Sequence, residues 1–335
     1  MTHPAPIGER TPGRGDAHPE ASSQRVVAVV VTYNREELLQ QCLDGLAAQE
    51  RLPDAVVVID NASTDASGDV ADAHPLAADV VHLRRNVGGA GGFAAGMARA
   101  LVRHDADWVW LMDDDTIPRP GALRELLRAL EASPVRLSVL SSRAVWTDGR
   151  DHPMNTQRTR LGASAREKRD AAQAGGRPIR TASYVSALLN GQDVRRLGLP
   201  YADYFIWSDD FEHTGRLLRH GRGVQVAASV VEHRTAAFGN AQSGPGARFY
   251  YDVRNRLWAL ARTDSFSPLE KLVHGGATGL GWLRLLLRHR GGLLTVGLRG
   301  LLAALRRGPR PSDVVLAADG EAAEDIRAIE RVAGR

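Results

Sequence analysis

Residues 108–112 (WVWLM) run straight into Asp113, Asp114 and Asp115, and no other stretch limits the fold of this chain so tightly. Five bulky apolar residues without polar alternation read as a strand buried on both faces, the pattern of parallel sheets covered by helices. Three adjacent carboxylates repel one another unless a cation or a basic group stands beside them. In open parallel sheets, ligands bind at the carboxyl ends of the strands. An acid triplet at such an end suggests an oxygen-ligated divalent cation, Mg2+ or Mn2+, shared with a phosphate. The competing reading is an acidic turn capping the next helix, since PRPGALRELLRAL follows directly.

The flanking sequence supplies the rest of such a sheet. Residues 25–32 (RVVAVVVT) are a β-branched run and predict the first buried strand. Residues 36–49 then carry Leu38, Leu39, Cys42, Leu43 and Leu46 at helical spacing. Residues 55–59 predict a second strand that ends in Asp60, Asn61, Ala62, Ser63, Thr64 and Asp65, with Asp65 or Ser67 available as a helix N-cap. A short strand over 80–83 and a glycine-dense helix start at 86–97 (NVGGAGGFAAGM) lead to the aspartate strand. This alternation across 25–130 predicts an α/β fold, a mostly parallel Rossmann-like sheet with helices on both faces.

The second half is less periodic. Residues 139–146 predict a strand, 148–180 a long polar loop or flap, and Asn190-Gly191 a turn. An aromatic and acidic cluster, YADYFIWSDDFEH, precedes an amphipathic helix; a strand over 224–231 ends in Glu232-His233; RFYYDVRNRLWAL reads as a helix. From Lys271 to Ser312 there are eight Lys or Arg and no Asp or Glu. Leu294, Leu298, Leu301, Leu302 and Leu305 form a helical stripe there, with arginines off it. Such a basic amphipathic segment suits a membrane surface; packing on the catalytic domain or on a second subunit of a homo-oligomer is the alternative. Its apolar runs fall short of the ~20 residues that span a bilayer. The first 24 residues, rich in Pro and Gly, predict a disordered tail, followed by a catalytic domain over 25–262 (halves 25–130 and 131–262) and a helical basic region over 263–335. One cysteine, Cys42, excludes an internal disulfide and a cysteine-based metal site, which fits a reducing compartment.

Three constellations bear on chemistry. Gly89-x-Gly91-x-x-Ala94, with Asp113 about 20 residues on, formally matches the dinucleotide fingerprint, so an NAD-dependent oxidoreductase is a rival class. Against it, the glycines follow the third strand, the acid is a triplet, and Asp60 already ends an earlier strand. Asp209-Asp210-x-Glu212 at a helix start is explicable as dipole compensation alone, and His233 alone as a core histidine. Together with the aspartate triplet, however, they can hold a cation that neutralises a departing diphosphate and provide a base for an attacking hydroxyl.

In their order along residues 26–260, VVVTYNR, VVVIDNASTDAS, NVGGAGGFAAGM, WLMDDDT, FIWSDDFEHTGRLLRHG, VVEHRT and YYDVRNRLW resemble family 2 glycosyltransferases of the GT-A fold. The glycine-dense form is most similar to the bacterial galactofuranosyltransferase and rhamnosyltransferase-like branch. The resemblance implies that Thr32, Tyr33 and Asn34 line a nucleotide pocket, with Asp60 near a uracil or thymine base. It implies that Asn61, Asn86, Gly88, Gly89, Gly91 and Gly92 border the donor diphosphate and sugar. Asp113 and Asp114 would face the donor; Asp113, Asp115 and His233 would hold Mg2+ or Mn2+; Asp210 would be the general base. Asp209, Trp207 and the pair Tyr204-Phe205 would form the acceptor side. The implied partners are a UDP or dTDP sugar and a glycan or lipid-linked acceptor at the inner face of the plasma membrane, not nucleic acid. A non-catalytic nucleotide-sugar binder would be expected to lack one of these acids.

Overall fold

The computed structural model describes residues 24–76, 79–155, 157–239, 246–288 and 292–335. The expected N-terminal tail therefore lies, except for Gln24, outside the described residues. The first half alternates as predicted: β1 (Val26–Thr32), α1 (Glu36–Ala47), β2 (Ala55–Asp60), α2 (Ser67–Ala73), β3 (Asp79–His82), α3 (Gly88–Arg103) and β4 (Trp108–Asp113). β5 (Thr116–Pro118), α4 (Ala122–Ala132), β6 (Val139–Val145), β7 (Arg158–Thr159), α5 (Ala165–Gln173) and β8 (Gly176–Thr181) follow. Then come β9 (Ala187–Asn190), α6 (Gly191–Leu197), α7 (Asp209–His220) and β10 (Gly223–His233). The rest is helical: α8 (Phe249–Ala261), α9 (Pro268–Arg288), α10 (Gly292–Arg306), α11 (Ser312–Val315) and α12 (Gly320–Val332).

The strands lie in the order β3-β2-β1-β4-β9-β6-β10-β8-β7, with β5 paired to β10. β1 to β4 are mutually parallel, β9 runs against β4 and β6, and β10 is parallel to β6. Register pairs Thr32 with Asp60, Asp60 with His82 and Val31 with Asp113. The polar residues that end three apolar strands are thereby gathered at one sheet edge. Along β1, side chains alternate: Val27, Val29 and Val31 meet Phe93 and Met97 of α3, while Val26, Ala28 and Val30 meet Leu39 and Leu43 of α1. Each fully buried valine of this kind contributes about 1.5–3 kcal/mol of transfer free energy, an upper bound.

α3 lies unusually close to the sheet. A Cβ on Gly92 would sit 2.5 Å from Val31 Cγ1, and one on Gly96 2.3 Å from Val29 Cγ1. The aspartate triplet does not cap α4, which follows Gly121 without a side-chain cap. This removes the capping explanation for the triplet.

Three local expectations fail. Residues 148–180 are not a loop: they form β7, α5 and β8, and α5 opens with a capping box between Ser164 and Glu167. The Ser-x-x-Glu spacing was the signal for that helix. Asn190 does not turn the chain; its side chain accepts the Asp193 N–H and caps α6. Neither Asp65 nor Ser67 is the N-cap of α2, which is Ala66 without a side-chain cap; Asp65 Oδ1 accepts the Ser67 N–H from one residue further back.

The 263–335 segment shows two behaviours. α11 and α12 return to the main body, where Val315, Leu316, Ile326 and Ile329 join the core beneath α3. α9 has no buried residue, and in α10 only Gly300 and Ala304 are buried. Among the described residues no helix is long and apolar enough to cross a membrane.

Candidate active site

A cleft of about 1120 Å³ opens at the carboxyl edge of β1 and β4 and continues past the starts of α3, α7 and α8. That exceeds the ~300–1,000 Å³ of ordinary small-ligand pockets and leaves space for two reactants. Both acid clusters line it.

In the first cluster each carboxylate has a separate environment. Asp114 Oδ2 accepts from Thr32 Oγ1 at 2.9 Å and from the Tyr33 N–H at 3.2 Å, fastening the end of β1. Burial and then the Asp115 charge push its carboxyl up to about 6. Asp115 Oδ2 takes an ion pair from Arg35 at 2.6 Å, and its Oδ1 faces His233 Nε2 at 3.1 Å. Burial alone would raise the Asp115 carboxyl, but His233 and Arg35 outweigh it and hold it below the usual range. The sequence called for a basic group beside the triplet; Arg35, of the VVVTYNR stretch, is that group. The Asp113 carboxylate has no hydrogen bond or ion pair with a described residue. Burial, followed by the charges of Asp115, Asp114, Asp209 and Asp210, pushes it well above the carboxylate range.

Asp115 and His233 fit a cation. His233 Nδ1 lies 2.7 Å from Asn155 Oδ1, and the Asn155 amide in turn donates to Ser183 Oγ at 3.0 Å. That keeps a proton on Nδ1 and aims Nε2 at Asp115 Oδ1, a buried oxygen with no other partner: with a proton on Nε2 the two form an ion pair, and without it Nε2 offers a lone pair to a cation between them. Adjacent ligands of an octahedral Mg2+, with bonds of about 2.1 Å, stand about 3 Å apart. Asp113 does not complete the set, since no three His, Cys, Asp or Glu among the described residues gather closely enough to hold a metal. Mg2+ commonly takes only one or two protein carboxylates and completes its shell with water and substrate phosphates.

The second cluster starts α7 and is mounted on a strained loop. Phe205, Trp207 and Ser208 all have left-handed backbones, with φ of 64°, 66° and 68°. Such non-glycine residues cost about 1–3 kcal/mol each and persist only where neighbours enforce them. Here Asn255 Nδ2 donates to the carbonyls of Tyr204, Ile206 and Trp207 at 2.8, 2.9 and 2.9 Å, and Arg254 donates to that of Asp203 at 2.6 Å. From the other side, the Ala90 N–H reaches the Phe205 carbonyl at 3.2 Å. A Cβ on Gly88 would come within 2.0 Å of the same oxygen, so this position, with φ +74°, requires glycine. Burial, then the neighbouring Asp210, pushes Asp209 up to about 8. Asp210 is also raised by burial, opposed by the Phe211 N–H at 2.6 Å and by Arg256 and Arg158.

Of the residues singled out in the sequence, Thr32, Tyr33, Asn61, Asn86, Gly88 and Gly89 line this cleft at the strand ends and the start of α3. Asp113, Asp114, Asp115, His233, Trp207, Asp209 and Asp210 line it too. Five others are placed differently. Tyr204 is fully buried against Ala90, Trp258 and Ala304, so it is core and not an acceptor wall. Phe205, its partner in that expectation, does line the cleft. Gly92 packs on Val31 and Gly91 on Val87, so both serve helix packing and not a ligand. Asn34 Oδ1 accepts the Thr64 N–H at 2.7 Å, and Asp60 is bound to His82 at 3.0 Å and to the Ser63 N–H at 3.0 Å. Both are loop fasteners outside the lining. Asn155, Arg158, Arg254, Asn255 and Arg256 escaped sequence reasoning, although YYDVRNRLW contains the last three.

A parallel sheet whose strand ends carry an acidic cluster, facing a second acidic cluster on a helix start, is the architecture of a GT-A glycosyltransferase. The chain belongs to glycosyltransferase family 2 and is a glycosyltransferase: the family model for Glycosyl transferase family 2 matches residues 27–189. It is 32% identical over 286 residues to galactofuranosyltransferase GlfT1 of Mycobacterium tuberculosis, covering 80% of this chain and 91% of the relative. It is 31% identical over 126 residues to the succinoglycan biosynthesis protein ExoO of Rhizobium meliloti, covering 37% of this chain and 35% of that one. Among solved structures, S. aureus TarS 1-349 in complex with UDP superposes with a TM-score of 0.59 at 15% identity, over 92% of this chain and 90% of that chain. The mannosyltransferase PcManGT from Pyrobaculum calidifontis, in complex with GDP-Man and Mn2+, gives 0.51 at 20% identity, over 95% and 89%. At these identities the structural likeness establishes the fold.

Proposed function

We propose that the protein transfers a galactofuranose-like or rhamnose residue, with inversion, from a UDP or dTDP sugar to a hydroxyl of a glycan or lipid-linked acceptor. The observation that carries this reading is the placement of Asp115 with His233, and of Asp210, in one cleft. The relative named as a galactofuranosyltransferase, alike over most of both chains, supports the donor class. The neighbours solved with UDP and with GDP-Man and Mn2+ support a nucleotide sugar and a divalent ion.

Asp115 and His233 would hold Mg2+ or Mn2+, which supplies positive charge for the departing diphosphate. Thr32, Tyr33, Asn61, Asn86, Gly88 and Gly89 would bind the donor at the strand ends. Asp210 takes the proton from the acceptor hydroxyl, whose oxygen bonds to the anomeric carbon while the bond to the diphosphate oxygen breaks on the opposite face. Asp209, protonated at neutral pH, is able to donate a hydrogen bond to the acceptor, and Trp207 and Phe205 offer it an aromatic surface. Against the oxidoreductase alternative, Gly91 of the glycine fingerprint contacts Val87 and not the cleft.

The proposal extends to a membrane surface. Leu269, Leu272, Leu287 and Leu305 are 70%, 73%, 72% and 63% exposed on α9 and α10, among basic residues only beyond Glu270. Docking at the inner face of the plasma membrane would cover them, and Leu285 of α9 also lines the cleft. Flotation with anionic liposomes at low salt tests this, because about 1 kcal/mol per cation should be lost as salt rises. Floating that is no better than with neutral liposomes would assign the leucines to a second copy of the chain.

Product NMR after incubation with UDP-galactofuranose or dTDP-rhamnose tests the transfer itself, with inverted anomeric configuration expected and a retained one contradicting Asp210 as base. Thermal shift separates the rival class: UDP at ~100 times its dissociation constant should stabilise by ~2.7 kcal/mol, and NADH not at all.

A further inference from the structure

We propose that Arg158 and Arg256 form a receptor for a phosphate or diphosphate group carried by the acceptor. This rests on the glycosyl-transfer reading, in which Asp210 marks the acceptor side. Both guanidinium groups lie over one ring, that of Phe211, at 5.2 and 4.2 Å from its centroid, and both line the cleft. Phe211 directly follows Asp210.

What sets these two arginines apart is their lack of partners. Apart from the exposed Arg248, the other arginines around the cleft have their forks engaged. Arg35 pairs with Asp115 at 2.6 Å, Arg180 with Glu270 at 2.5 Å and Arg216 with Glu212 at 3.0 Å, while Arg254 donates to backbone carbonyls. The guanidinium groups of Arg158 and Arg256 make no hydrogen bond or ion pair with any described residue. Two like charges thus converge on one aromatic face; burial pulls Arg256 below its ordinary value, and the repulsion of Arg158 adds to it against the attraction of Asp252 and Asp210. An unpaired, partly desolvated cation is unfavourable until an anion reaches it. Two planar forks side by side match the oxygens of a phosphate better than one carboxylate does.

The location favours an anion on the acceptor. The donor diphosphate is assigned to Asp115, His233 and the start of α3, at the strand ends, whereas Arg158 and Arg256 come from β7 and α8, beside Asp210. Leu285 of α9 lines the same cleft, and α9 exposes leucines along its length. An acceptor with a charged head and an apolar chain would meet cations and leucines together. This also gives the 148–180 segment a role: it carries Arg158 to the cleft.

The test is calorimetric titration of the full chain, saturated with UDP, with dodecyl phosphate and with neutral dodecyl glucoside below their micelle concentrations. Dodecyl phosphate should bind about tenfold or more tightly than the glucoside. Arg158→Gln and Arg256→Gln should each remove that preference while leaving affinity for UDP and for the glucoside unchanged. Arg158→Lys and Arg256→Lys, which keep the charge and guard against misfolding, should retain part of it. Equal binding of the two amphiphiles by the unmodified chain would overturn the proposal. So would glutamine variants that keep the preference, and so would a parallel loss of UDP affinity, which would place the arginines on the donor diphosphate. Failure of UDP to bind at all would instead strike the glycosyl-transfer reading, so the two failures are distinguishable.

Discussion

The two acid clusters of the cleft are alike in sequence and opposite in physics. Asp115, at the end of β4, is buried between Arg35 and His233, which hold it ionised. Asp209, at the start of α7, is equally buried but has no cation in contact, and burial with its neighbour Asp210 holds it protonated to about pH 8. Burial is common to both, so the aimed partner decides the outcome. The difference separates a site prepared for a cation from a site prepared to handle protons.

The largest expected effect is on the first cluster. Asp115→Ala removes a ligand that would concentrate positive charge worth several kcal/mol at the leaving group, so the rate of transfer should fall by about 10³-fold. Melting curves should show the fold intact. A fall of less than tenfold would erase the contrast between the clusters. Asp210→Asn is nearly isosteric and removes the proton acceptor. Turnover should drop by about 10²-fold or more with UDP affinity retained, measured by initial rates and titration. Normal turnover would move the base to Asp209 or Glu212.

Smaller effects sharpen the comparison. Asn155→Ala frees His233 Nδ1, and metal affinity should weaken by about 10- to 100-fold; an unchanged affinity would show that the tautomer is fixed by something else. For Asp209 the linkage has a definite sign. Its folded value of about 8 lies above the ~3.9 of an unfolded Asp, so its contribution to stability is complete below about pH 4 and lost as pH rises through about 8. In metal-free buffer the stability of the protein relative to Asp209→Asn should decline across that window. A difference independent of pH would mean that Asp209 is ionised throughout. Gly92→Ala should cost about 1–3 kcal/mol through its clash with Val31, at unchanged UDP affinity. Loss of UDP binding without loss of stability would return Gly92 to the donor site.

The same contrast explains what the sequence disclosed. β1, β2 and β4 are apolar along their whole length and end abruptly in polar residues, so the sheet edge and the triplet could be read directly. The Asp115–His233 pairing was implied by the family resemblance, and the structure makes it through β5, whose Thr116 pairs with His233 of β10. The wall of the cleft around the second cluster is assembled from distant, aperiodic pieces. Its loop at 205–208 is enforced by Asn255 and Arg254 from another helix, and Asn155 and Arg158 come from a polar segment with no periodicity beyond one capping box. Tyr204 shows the limit most plainly. Its neighbours Phe205 and Trp207 face the cleft, but the left-handed turns break the alternation that would reveal which rings point inward.

The most direct test of the central distinction is Mn2+ uptake followed by electron paramagnetic resonance, with UDP present, in the unmodified chain and in His233→Ala. The expected result is loss of the free-ion signal on titrating the unmodified chain, at least tenfold weaker uptake in His233→Ala, and no comparable weakening in Asp209→Asn. Equal uptake by the unmodified chain and His233→Ala, or weakening only in Asp209→Asn, would contradict the assignment of the cation to the first cluster.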